Sequence, residues 1–470
     1  MNRTGNLLGN STEGVRAVRK FTQRLGILAA AAAFVGMGTS AHAQTDLLYD
    51  WKKIDNSTPV PTVSGYIPAP FVSTGNVSAA ALSTLTANQA TFPGKVAVKI
   101  VGSTLLSPAD NAALFGASAP QINYAFMDYE GVNGQATATQ QAAAIRAQPK
   151  PANFIGNFRM YPGNGDTSGV GSGPTLAQYQ ASGMNMANED LYPGSPFYKN
   201  PGSAGGTSTS PNIRSSLFVL PIDRATFVTS NLPAGNKHIP YVNRFNNFGN
   251  SALDSDGNPA NGYQFNNTTG QQMLSRGDFS AMVAHYRARG VDGVHLLDGG
   301  VVGYTQSQFE QDAKDGFTFA PFANIFAGTN PKLATLDTVS KVNGVVASNE
   351  STGVVFSGVY SLTQNDTRLA GSTGKLALLL SNLSATPASL EFVSKIGGKT
   401  VVASGAALSI NAGEHKLLEF AGTGLQWSLV NTAIVFTDAD RSGVGVPEPV
   451  AMGGASIFAL TMLFRRRRSR

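Results

Sequence analysis

The chain has 470 residues, 42% of them hydrophobic and only 13% charged, enough apolar content to bury more than one core. It contains no cysteine, which excludes disulfides, thiol catalysis and cysteine-ligated metals. The formal net charge of +6 gathers at the ends: residues 1–43 carry +4 and residues 450–470 carry +5, which leaves −3 for residues 44–449, so no nucleic-acid partner is expected.

From the N-terminus, a basic stretch ending VRKFTQR leads into apolar LGILAAAAAFVGMG and the small-residue site AHA at Ala41 to Ala43. That order predicts a secretory signal over 1–43, cut by signal peptidase before Gln44, and therefore an exported protein. Residues 44–94 form a polar, Pro/Ser/Thr-rich segment with weak periodicity, expected to lie against the main domain as strands.

Over 95–330 the apolar runs KVAVKIVG, QINYAFMDYEG, FIGNFRMYPG, GMNMANEDLYPG, SSLFVLPIDR, HIPYVNRF and VDGVHLLDGG read as strands, with helices between them at 139–148 and 276–290. In the second helix Asp278 is expected to cap. Phe279, Met282, Val283 and Tyr286 recur at helical spacing, and Arg287 and Arg289 fall in the last turn before Gly290. Repeated strand–helix steps predict an α/β domain with parallel strands, a TIM-like (β/α)8 barrel.

Over 331–437 the helical period is gone. GVVFSGVYSLTQ, KLALLLSNL, ASLEFVSKI, TVVASGAALSI, HKLLEFA, LQWSLV and TAIVFT follow one another with Gly, Asn, Ser and Asp between them, which predicts an all-β sandwich domain.

Residues 438–449 form a linker that ends in Pro447, Glu448 and Pro449; residues 450–470 are an apolar segment, Val450 to Phe464, and an arginine cluster from Arg465. A helix over 450–464 spans about 22 Å at 1.5 Å per residue, against a hydrocarbon core of roughly 30 Å. This predicts a short C-terminal transmembrane helix suited to transient anchorage, with its arginines on the cytoplasmic side. The succession VPEP, apolar run and terminal arginines closely resembles the PEP-CTERM sorting signal of bacteria that make exopolysaccharide. The resemblance implies an exosortase-type sorting protease as partner, an inner-membrane intermediate, and delivery to the cell surface or extracellular matrix.

Reacting groups in a barrel of this kind come from the C-terminal ends of strands. Between residues 44 and 309 the chain has only two glutamates, Glu130 and Glu189, each at a predicted strand end, and Asp298 ends VDGVHLLD in an equivalent position. Asp128 stands two residues before Glu130, so on a strand the two share a face and their repulsion would raise one pKa toward that of a useful acid. Cleavage of a glycosidic bond needs one carboxylic acid and one carboxylate, which makes Glu130, Glu189, Asp298 and Asp128 the catalytic candidates. Tyr129, Tyr192, Tyr241, Asn243 and His295, on the same predicted strands and loops, are the candidates for binding a polysaccharide.

The acidic stretches DSDGN and FTDADRSG lack the glycine or the terminal acid of a calcium loop, so neither a metal nor an organic cofactor is expected. INYAF followed by D-x-E is similar to barrel chitinase-like enzymes, and VDGVHLLD to the strand before the catalytic Asp of amylase-like barrels, with Leu296 where that pattern carries arginine. The strand-rich tail looks like the β-domain behind many barrel glycosidases. Two readings stand: a secreted glycoside hydrolase-like enzyme, or a noncatalytic carbohydrate-binding or structural matrix protein.

Replacing Pro447, Glu448 and Pro449 together with alanine is expected to leave the tail on the protein isolated from its native host. The wild type should begin at Gln44 and lack residues beyond the motif. Intact mass reads both, and identical masses for the two proteins would sink the sorting reading.

Overall fold

A computed structural model describes residues 47–50, 63–129, 133–163, 174–191, 213–243, 274–296, 306–328, 331–333, 338–342, 345–346, 353–362, 373–384, 386–396, 399–403, 408–424 and 426–437. The expected signal segment, the Pro-Glu-Pro motif, the apolar segment 450–464, and the residues Glu130, Tyr192 and Asp298 lie outside them. No helix among the described residues is long and apolar enough to cross a membrane.

The first part of the chain builds parallel strands. They are β1 (Leu47–Asp50), β2 (Ile67–Pro68), β3 (Phe71–Val72), β4 (Ala97–Gly102), β5 (Tyr124–Tyr129), β6 (Phe154–Asn157), β7 (Met186–Ala187), β8 (Asp190–Leu191), β9 (Lys237–His238), β10 (Tyr241–Val242) and β11 (Gly293–Leu296). β2 pairs back to β1, and β3 pairs on to β4, β4 to β5 and β5 to β6, all in parallel. β7 with β9 and β8 with β10 keep one common register, so each of these short pairs is two stretches of one longer strand pair. Asn185 N donates to Ile155 O at 3.1 Å, joining the β6 side to the β7 side. β10 pairs β11, and β11 pairs β1, Leu47 opposite Gly293, so the last parallel strand lies beside the first. The segment 44–94, read as a polar N-terminal stretch, thus supplies three of these strands and a helix.

The helices fall between the strands. They are α1 (Ala79–Thr91), α2 (Pro108–Phe115), α3 (Gly134–Arg146), α4 (Leu176–Ala181), α5 (Ile213–Asn231), α6 (Arg276–Ala288), α7 (Gln306–Phe317) and α8 (Ala320–Phe326). Their starts are set by local chemistry. Ser107 and Asp110 close a reciprocal capping box with Pro108 in the first turn of α2, and Thr175 and Gln178 do the same for α4. In α6 the cap is Ser275, whose hydroxyl accepts from Asp278 N at 3.0 Å; Asp278 sits in the first turn instead of capping.

SSLFVLPIDR, expected as a strand, lies within α5. Phe218, Val219, Ile222, Ala225 and Val228 are all buried at helical spacing, and a short apolar run does not separate a buried helix from a strand.

Both faces of the parallel strands are covered, which is why they read as near-continuous apolar runs. One face encloses Leu47, Tyr49, Ile67, Ala97, Tyr124, Phe126, Met186, Ile239 and Tyr241 in a single cluster. The other meets the helices: Val98, Ile100, Ala125 and Ile155 against Leu85, Leu114 and Ile145, and Leu191, Val242 and Val294 against Phe218, Phe279 and Phe317.

The second part is antiparallel. One sheet runs β12 (Lys332–Leu333), β15 (Val354–Leu362), β16 (Thr373–Asn382), β20 (His415–Thr423), β21 (Gln426–Ile434). The other runs β14 (Val345–Val346), β13 (Thr338–Val342), β17 (Ala388–Ile396), β18 (Lys399–Ala403), with β19 (Leu408–Ile410) on β17. LQWSLV and TAIVFT, expected as two strands, form the single β21, whose pairing with β20 takes up a register shift at Glu419/Phe420. Leu376, Leu378, Leu380, Leu390, Phe392, Ile410, Leu418 and Trp427 share a core between the sheets. The outer face of the first sheet is buried too: Val359, Ala377, Leu379 and Leu417 pack on Ala284 and Ala288 of α6 and on Phe322 and Phe326 of α8.

A side chain on Gly293 would collide with the carbonyl oxygen and Cβ of Leu47 across the β1–β11 contact. Gly293→Ala is therefore expected to cost about 1–3 kcal/mol, the usual range for overpacking, read as a lower urea midpoint; an unchanged midpoint would mean that β1 is not held there.

Candidate functional site

Along a strand, side chains alternate between faces, and that alternation sorts the candidate residues. Phe126 and Tyr241 point into the enclosed cluster, so Asp128, two residues beyond Phe126, and Asn243, two beyond Tyr241, take the same face. His295 joins them: its ring lies 4.6 Å from Phe126, 4.7 Å from Tyr241 and 6.1 Å from Tyr49, centroid to centroid. Tyr129 and Glu189 take the opposite, helix-facing side.

On the inner face the strongest interaction is an ion pair that the sequence reading missed. Lys99, 1% exposed on β4, holds its ammonium 3.0 Å from Asp128 Oδ2 and 4.0 Å above the centre of the Tyr241 ring. A lysine inside the apolar run KVAVKIVG was the available signal, since a charge buried there needs a partner. Burial, and then the Lys99 ammonium, hold the His295 pKa well below its ordinary value, so the ring is neutral near pH 7. Burial first, and then Asp128 and Asp190, push the Tyr241 hydroxyl well above its ordinary range, so it stays protonated. The Asn188 amide lies beside that hydroxyl. Gly156 makes room for it, because a Cβ there would collide with Asn188 Oδ1 and the Met186 carbonyl.

Several polar atoms of this face are unsatisfied. The Tyr241 hydroxyl, both amide atoms of Asn188, both of Asn243 and both ring nitrogens of His295 are buried, and none completes a well-aligned hydrogen bond among the described residues. Each such group costs about 1–3 kcal/mol when left open in a protein interior.

Glu189 is placed for another task. Its Oε1 is 2.8 Å from His238 Nε2, and His238 Nδ1 is 2.6 Å from Thr229 Oγ1 on α5. Because a carboxylate only accepts, Nε2 carries a proton toward Glu189, and Nδ1 pairs with the Thr229 hydroxyl. The chain ties β8 and β9 to α5, on the side where Tyr286, its hydroxyl raised by burial and then by Glu189, packs from α6. Glu189 and Tyr129 therefore do not join Asp128: Tyr129 packs in the helix-side core with its hydroxyl 3.3 Å from Gln141 Oε1. The reason is strand parity, which a motif such as NMANEDLYPG does not display when the strand breaks at Asn188 and Glu189. Among the described residues no group of three or more His, Asp or Glu side chains is placed to hold a metal ion.

No family profile matches the chain, and no curated protein matches it. Two solved structures overlap with it. One is a chitinase from Chromobacterium violaceum, 12% identical over 58% of this chain and 99% of that one, with a TM-score of 0.32. The other is a chitinase-like agglutinin from Robinia pseudoacacia, 14% identical over 61% of this chain and 96% of that one, with a TM-score of 0.29.

Removing one partner of a buried ion pair strands the other charge, at a cost of about 3–5 kcal/mol. Lys99→Met is expected to destabilise by an amount near the lower end of that range, because Asp128 keeps some solvent contact. Lys99→Met with Asp128→Leu should regain part of the loss. Chemical denaturation reads both, and a double variant less stable than Lys99→Met would show that the pair is not the source of the cost.

Proposed function

We propose that the protein is an exported, exosortase-sorted cell-surface or matrix protein whose parallel strands form a TIM-like (β/α)8 barrel, followed by a β-sandwich, and that the barrel interior binds polysaccharide toward the C-terminal ends of its strands. The observation that carries the binding reading is the set of open polar atoms on Asn188, Tyr241, Asn243 and His295 beside the Lys99–Asp128 pair. Sugars offer hydroxyls that both donate and accept, and C–H faces that pack on aromatic rings; Phe126 and Tyr241 supply the rings and the open groups supply the partners. The circular order of strand pairings supports the barrel.

A second reading, hydrolysis of a glycosidic bond, is favoured by Asp128 on the inner face. Paired with Lys99, Asp128 serves as a fixed negative charge, and the proton donor in this reading is Glu130, two residues on.

Titration of the purified protein calorimetrically against soluble chitin, cellulose, xylan and mixed-linkage glucan oligosaccharides is expected to show binding to at least one. Tyr241→Phe and Asn243→Ala should each weaken it about tenfold, which is about 1.4 kcal/mol. Binding unaffected by both variants would move the site elsewhere, and no binding at all would remove the reading. Release of reducing ends, abolished in Glu130→Gln, would establish hydrolysis; equal release by Glu130→Gln and wild type would exclude Glu130 as the acid.

A further inference from the structure

Away from that site, a run of buried polar side chains lies where α6 crosses the first antiparallel sheet. Arg289 Nε donates to Ser357 Oγ at 2.8 Å, and Ser357 Oγ is 2.7 Å from His285 Nδ1. His285 Nε2 is 2.9 Å from Ser381 Oγ, which is 2.8 Å from His415 Nδ1, and His415 Nε2 is 3.0 Å from Asp278 Oδ1. Asp278, His285 and Arg289 belong to α6 and the turn after it, whereas Ser357, Ser381 and His415 belong to β15, β16 and β20. All six are buried.

Arg289 donates to Ser357 and His415 Nε2–H donates to Asp278, because a guanidinium only donates and a carboxylate only accepts. Between those ends Ser357 bridges Arg289 and His285 Nδ1, and Ser381 bridges His285 Nε2 and His415 Nδ1.

We propose that this chain is an acid-released latch between the parallel-strand region and the antiparallel sheets. A proton added to the neutral His285 ring makes both its nitrogens donors, so Ser357 and Ser381 must then both accept from it.

The surrounding charges oppose the added proton. From α6 the ring faces Arg289, and from β20 it faces His415; β15 and β16 present only Ser357 and Ser381. Asp278 is engaged by His415, and Asp223 of α5 lies 3.8 Å from Arg289 Nη1, so neither carboxylate reaches His285 directly. Phe218 of α5 closes the remaining side, edge-on to His285 at 5.7 Å and stacked on His415 at 5.9 Å. Burial first, and then Arg289 and His415, hold the His285 pKa well below its ordinary value. The closed seam therefore binds one proton fewer than an opened one in which the ring meets water. Closure is at full strength above the open-state pKa of about 6.5 and weakens as pH falls below it, the opening constant rising about tenfold per pH unit.

The natural absence of cysteine permits a direct test on the full chain. Ala377→Cys places a thiol in the seam, and Ala125→Cys places one in the core between the parallel strands and their helices. Labelling rates are divided by those of the same variant in denaturant at each pH, which removes the pH dependence of the thiol itself. The expected result is that labelling at position 377 rises about tenfold per pH unit from pH 6.5 toward pH 5 while labelling at 125 stays flat. His285→Gln keeps one donor and one acceptor and takes up no proton, so it should abolish the rise at 377. Ser381→Ala, which cuts the chain, should raise labelling at 377 at every pH while retaining the slope. The proposal is overturned if labelling at 377 does not depend on pH, if 125 rises in step with it, or if His285→Gln retains the slope. Should His285→Gln fail to fold, the wild-type slopes at 377 and 125 together with Ser381→Ala still decide.

Discussion

The parallel contact between Leu47–Asp50 and Gly293–Leu296 is the constraint on which the rest of the molecule depends. It brings the first and last parallel strands side by side across some 240 residues of chain, and Gly293 makes the approach close enough. Along these strands one set of alternate side chains gathers in a single cluster and the other set meets the helices. Each residue's role then follows from its parity. Asp128 and Tyr241 fall inside, and Glu189 and Tyr129 fall outside.

Buried polar groups occur in two contrasting states. Where α6 meets the antiparallel sheet, six side chains complete one another's hydrogen bonds from Arg289 to Asp278, which is what a permanent interface requires of polar groups away from water. On the inner face of the parallel strands, Asn188, Tyr241, Asn243 and His295 are as deeply buried and leave their partners open. The first arrangement is sensitive to one proton more or less.

The succession of elements was largely legible. Strand and helix alternating over the first part and strands alone over the second appear in the apolar periods, and KVAVKIVG, INYAFMDY and KLALLLSNL became β4, β5 and β16. The errors have physical causes. SSLFVLPIDR is as apolar as a strand because the helix it belongs to is buried on several sides. LQWSLV and TAIVFT looked separate because polar Asn431 lies between them, yet it sits on a sheet edge where a polar side chain is exposed without breaking the strand. The dense apolar character of β15 and β16 was visible, but not that it serves two partners, the second sheet on one face and α6 and α8 on the other.

The sequence by itself determined the order of helices and strands, the change from parallel to antiparallel construction, the lack of any cysteine chemistry, and the short inventory of carboxylates and aromatic rings available to a site. Those are properties of local period and composition. Tertiary structure alone decided which of these groups meet. Lys99 and Asp128 are 29 residues apart, Tyr241 and His295 come from later strands, and His285 finds Ser381 across 96 residues. Each of these contacts depends on strand register and on which way a side chain turns from its strand, and a one-residue change in either would exchange inside for outside without altering any motif in the sequence.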